Sequence, residues 1–239
     1  MKAITIKKNF KYLFIANFVL SVAVAQAQIV PPMDTMEDVN IVGLAVGSAP
    51  DYMGSSDNKA GVAPVLRYQF DDSQRYLLWL GPIVQVNLLD SENWRFGPYL
   101  NYRFGRDDDV DNDTVDQMDE IDDQVEFGGF LTYRLKLSDM KMHQINFSGD
   151  VAASGNGVVS SLRMMYWQPL RETTILNIGA GMVIADSEWM DTYFGVSSQN
   201  DIGLYPSLGG SAYEAGSGVK SFTIPFGVNT YITDIGLQV

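Results

Sequence analysis

From Trp94 to Gly105 the chain reads WRFGPYLNYRFG, and its side chains sort by parity. Trp94, Phe96, Pro98, Leu100, Tyr102 and Phe104 fall on one side of an extended strand. Arg95, Gly97, Tyr99, Asn101, Arg103 and Gly105 fall on the other. Successive strand side chains point to opposite faces, so the two faces meet different surroundings. One is apolar; the other is charged, polar or small. The pattern returns with Val125, Phe127, Leu131, Tyr133 and Leu135 against Glu126, Thr132, Arg134 and Lys136. It returns again in Val62, Leu66, Tyr68 and Phe70 against Ala63, Val65, Arg67 and Gln69. Further stretches lie at about 42–46, 76–88, 143–153, 158–168, 176–184 and 222–232, with the start of another at 235–239.

Strands near ten residues are long enough to cross a bilayer when tilted. Phe70, Tyr76, Trp94, Phe104, Tyr166, Trp167 and Tyr231 sit at their ends, where membrane barrels carry aromatic girdles. A soluble sandwich also alternates, but it has little use for repeated long strands with Phe, Leu and Tyr on one face and charges on the other. Hydrocarbon punishes an unpaired sheet edge, which closure removes. The expected fold is all-β: an antiparallel transmembrane β-barrel of about ten strands or more.

Lys2, Lys7, Lys8 and Lys11 precede the apolar run Tyr12 to Ala25, which ends on Ala25-Gln26-Ala27. A basic start, an apolar core and a small-x-small end make a secretory signal peptide. Residues 1–27 are therefore expected to be removed, leaving 28–239 as one barrel domain. That mature chain holds 12 basic and 29 acidic residues, a net charge near −17. Such a balance argues against nucleic acid, whose phosphates attract Lys and Arg. With no cysteine, an exported chain of this size has no disulfide framework and must rely on a large core or on a membrane.

The connections differ in length. Those at 70–75, 90–93, 154–157 and 171–174 are short and polar, while 50–61, 105–123 and 187–217 are long. Counting 76–88 as one strand puts the first long segment at one end and the other two at the opposite end. Asp107 to Asp123 contains ten carboxylates and no basic residue. Asp109, Asp111, Asp113 and Glu120 fit positions 1, 3, 5 and 12 of a calcium loop, but Thr114 stands where the turn needs Gly. The expectation is a solvated acidic loop, with at most loose binding of divalent cations. His143 is the sole histidine, so a zinc site or a nucleophile–base pair cannot be built. No G-x-S-x-G elbow occurs. No catalytic residue, cofactor or metal site is expected.

Four segments carry a resemblance. They are GLAVGSAPDYMGS (43–55), NLLDSENWRFGPYLNYRFGRDDD (87–109), MDTYFGVSS (190–198) and YEAGSGVKSF (213–222). In this order they resemble the MipA/OmpV family of outer-membrane proteins. Its members usually run on for a few strands more and end on an aromatic, whereas this chain stops at Gln238-Val239, so a truncated sequence is expected. The resemblance implies an outer-membrane barrel embedded in lipid. It also implies a non-enzymatic scaffold that holds a lytic murein transglycosylase near a penicillin-binding murein synthase. A narrow channel and a surface adhesin are the alternatives.

Two sets of residues follow. Asp51 and Tyr52, with Asp191, Tyr193 and Phe194, offer contact area in loops, for a partner or for packing against the barrel mouth. Arg67, Arg95, Arg103, Glu126 and Arg134 fall on the inner face. There they either line a pore or pair up and fill the lumen, the expected outcome in a barrel of this size.

Overall fold

The computed structural model describes residues 10–12, 14–16, 40–107, 110–140, 142–171, 174–232 and 237–238. The signal segment thus lies largely outside the described residues, as do Asp108 and Asp109 of the acidic stretch and Glu172 and Thr173 of one short turn. Eleven antiparallel strands form one sheet: β1 (Asn40–Pro50), β2 (Asn58–Gln69), β3 (Tyr76–Leu80), β4 (Ile83–Asn87), β5 (Trp94–Arg103), β6 (Gln124–Lys136), β7 (Gln144–Ser154), β8 (Gly157–Arg171), β9 (Thr174–Ala185), β10 (Gly218–Thr223) and β11 (Phe226–Ile232). Each strand through β9 pairs with the next. Phe14–Ala16 and Leu237–Gln238 link β11 to β1 through ladders of two residues each. No helix among the described residues is long and apolar enough to cross a membrane.

The sheet is apolar outside and polar within. Phe96, Phe127, Leu131, Val151, Leu162, Phe222 and Val228 are all exposed. Arg67, Arg95, Asn101, Arg103, Glu126, Arg134, Asn146 and Asn177 are all buried. A soluble protein has the reverse arrangement. The faces of β5, β6 and β2 are those that parity predicts: Arg95 opposes Thr132, and Asn101 opposes Glu126, across one ladder.

The expected single strand at 76–88 is two strands. Gly81 and Pro82 turn the chain between β3 and β4, and Gly81 takes φ +55°, a conformation that costs glycine little. The Gly81 N–H is held by Pro64 O at 2.9 Å. The stretch 222–232 is also interrupted. Pro225 has no N–H to offer a ladder, yet β10 and β11 both pair with β9, so they make one pass along the wall.

Splitting 76–88 adds a pass and moves every later loop to the other end. The segments after β1, β5 and β9 all follow strands running the same way, so the three long connections share one end. Contacts agree: Asp51 Oδ2 accepts the Asp111 N–H at 3.2 Å, and Asp201 Oδ1 accepts the Asp119 N–H at 2.9 Å. The opposite placement expected from nine strands is corrected.

Candidate functional site: a plugged lumen

The long segment after β9 opens with a helix, α1 (Ser187–Phe194). Asp186 caps it, accepting the Trp189 N–H at 2.8 Å on Oδ1. Its Oδ2 accepts the Val158 N–H at 2.9 Å, which ties the start of the helix to β8. Gly157, at φ +100°, lies directly beneath: a Cβ there would stand 2.6 Å from Trp189 N. Four residues apart, Trp189 and Tyr193 share one face of the helix. Their rings meet at 4.6 Å between centroids, and both are buried against Val159 and Ala185. Met53 from the β1–β2 loop packs on the same cluster.

Trp189 is 0% exposed, and its indole enters the lumen. Its Nε1 donates to Glu126 Oε1 at 3.2 Å. Arg103 donates to the same carboxylate through Nε at 2.5 Å and Nη2 at 2.8 Å, and Asn101 adds a bond at 2.7 Å. The Arg103 guanidinium lies 5.1 Å from the centre of the indole ring. Helix, aromatic pair and ion pair form a stopper at the end bearing the long loops.

Below it, Asp150 accepts from both Arg163 and Ser161. Farther down, the Arg67 guanidinium lies 4.9 Å from the Tyr76 ring centre. Arg95 donates to Gln74 Oε1 at 3.1 Å, and Arg134 donates to the Glu92 carbonyl. Among the described residues, small chambers lie between these layers. The upper, of about 70 Å³, reaches from Trp189 to Arg163. The lower, of about 100 Å³, runs from Tyr99 to Trp167. Spaces of this size suit a few waters.

The predicted lumen set is therefore split. Arg103 and Glu126 meet at the stopper, while Arg67, Arg95 and Arg134 lie toward the short-turn end. Sequence reasoning missed Arg163 as the partner of Asp150, and it missed Trp189 altogether. The cap signal was present: Asp186 stands three residues before Trp189, the N-cap spacing.

The predicted contact residues divide as well. Tyr193 is 6% exposed and Phe194 packs on the Trp189 cluster. Both serve packing, and Tyr193 is not available to a partner. Burial pushes the Tyr193 hydroxyl above its ordinary pKa. Asp191 accepts the Ala215 N–H at 3.1 Å, which folds the long segment back on itself. Asp51 pairs with Lys59 at 2.7 Å, and the Tyr52 carbonyl accepts the Ser55 N–H in the loop turn.

The acidic stretch is not a free loop. Arg106 and Ile121 bridge its base, and Asn200 donates to Gln117 O at 2.7 Å. Among the described residues no three acidic or histidine side chains gather as a metal site. The Asp123 carboxylate accepts from the Tyr102 hydroxyl and, at 2.8 Å, from the Gly105 N–H. The hydroxyl first, then the N–H, holds this carboxyl below the usual range. A depressed carboxyl stabilises the fold above its unfolded pKa, and that contribution is lost as pH falls through the folded value. NMR titration should place the Asp123 midpoint below that of an ordinary exposed aspartate. Tyr102→Phe should move it upward.

An apolar-outside, polar-inside sheet with a helix and an ion pair set into its inner face defines a membrane-type β-barrel. The chain belongs to a particular family of this kind: the family model described as MltA-interacting protein MipA matches residues 42–236. Searches of curated proteins and of solved structures gave no match.

Proposed function

We propose that this protein is an outer-membrane barrel, exported on residues 1–27, that acts as a non-enzymatic adaptor for murein-remodelling enzymes. The partners in view are a lytic transglycosylase of the MltA type and a murein synthase. The family match across residues 42–236 carries the reading. The filled lumen supports it, since a barrel without a path has more to offer as a tether than as a channel.

In bacterial barrels long loops usually lie outside and short turns face the periplasm. With the three long segments at one end, the docking face for murein enzymes is the short-turn end, around 70–75, 88–93 and 137–143. Pull-down from envelope extract with the full-length protein tests the role. Enrichment of a murein transglycosylase over a control barrel is expected, and its absence would count decisively against the adaptor.

The shared end of the long loops favours a surface adhesin as a second reading. Orientation separates the two, and the lack of cysteine makes single-cysteine variants clean. An impermeant maleimide on intact cells should label Ser56→Cys and Ser198→Cys alike. Ser138→Cys should react only after the outer membrane is permeabilised. The reverse pattern would turn the barrel over.

A further inference from the structure

Strand β10 carries one residue more than its partner. Ser221 pairs with Val183 and Val219 with the adjacent Ile184, so Lys220 has no residue opposite it on β9. Such a bulge re-aims a side chain out of the parity of its strand. Val219 and Phe222 both face outward, at 47% and 75% exposed. Between them, Lys220 turns into the lumen and lines the upper chamber under Trp189.

Charge in that chamber does not balance. Arg103, Arg163 and Lys220 line it with Glu126 and Asp150, three cations to two carboxylates. Glu126 already accepts from Arg103 twice, from Asn101 and from Trp189, about the capacity of a carboxylate. Asp150 is engaged by Arg163 and Ser161. Lys220 Nζ stands 5.6 Å from the centre of the Trp189 ring and forms no hydrogen bond or ion pair with a described residue. The neighbouring Ser221 Oγ is buried with no hydrogen-bond partner among the described residues. An ammonium drawn away from water calls for a counter-charge. The ring face supplies only part of that.

We propose that the upper chamber binds one small monovalent anion, of the size of chloride or formate, on Lys220. Arg163 completes the site from below: its side chain is 34% exposed, and it lines both chambers. The volume of about 70 Å³ suits an ion of that size. Trp189 lines the site from above, and a bound anion fastens β10 beneath it. The inference concerns the lumen alone and stands whether or not murein enzymes dock outside.

The test is thermal unfolding of the detergent-folded barrel in chloride, formate or gluconate at equal ionic strength and pH. Chloride and formate should each raise the midpoint by about 3 °C over gluconate. Lys220→Met should lose that increment, Lys220→Arg should keep it, and Lys59→Met, a surface control, should keep it too. Equal midpoints in the wild type, or an unchanged increment in Lys220→Met, would overturn the site. If Lys220→Met does not fold, bromide-soaked crystals of the wild type decide. An anomalous peak within hydrogen-bonding distance of Lys220 Nζ supports the site, and its absence removes it.

Discussion

Glu126→Ala should destabilise the barrel by about 3–5 kcal/mol, the range for breaking a buried ion pair from one side. Glu126 is 1% exposed and Arg103 is 8% exposed, so the arginine left behind keeps its charge with little water to screen it. The loss spreads further, because the same carboxylate holds Asn101 and the Trp189 indole. Glu126→Gln keeps the shape and one carbonyl acceptor, so it should lose clearly less than alanine. Urea unfolding followed by tryptophan emission measures both. Emission should also shift red in the alanine variant before global unfolding, as Trp189 leaves its site. If alanine and glutamine behave alike, the charge of Glu126 contributes little and the stopper is held by packing.

The parts of this structure that were legible in the sequence are those governed by a period of two. The pairing of Arg103 and Asn101 with Glu126 follows once β5 and β6 are neighbours, because Asn101 stands opposite Glu126. What was not legible depends on a single residue breaking that period. Gly81 and Pro82 sit inside a run that alternates well on both sides, so a turn of two residues passes for strand. The bulge at Lys220 is one extra residue, and parity alone does not reveal an insertion. Helix α1 has 8 residues, about two turns, too few to show a helical period within a long polar segment. Arg163 lies in SSLRMMYW, where Met164 and Met165 blur the contrast between faces.

Trp189→Ala should give the second large effect, a change in function as well as in stability. Truncating a fully buried tryptophan typically costs about 3–5 kcal/mol. Here the indole also separates the upper chamber from the end bearing the long loops. Arg103 and Lys220 lose the ring they face, at 5.1 Å and 5.6 Å from its centre, and Glu126 loses one of its four hydrogen bonds. The cations of the chamber then repel one another across a wider space, which draws water in. In a planar bilayer the wild-type barrel should be nearly silent, and Trp189→Ala should show stepwise openings that favour anions. Trp79→Ala, on the outer face at 43% exposed, should leave the barrel silent. The openings should fade when Arg163→Gln is added if lumen cations set the selectivity. A variant as silent as the wild type would move the seal down to the Asp150–Arg163 pair. That pair spans the junction of the two chambers and would then be the narrow point of the lumen.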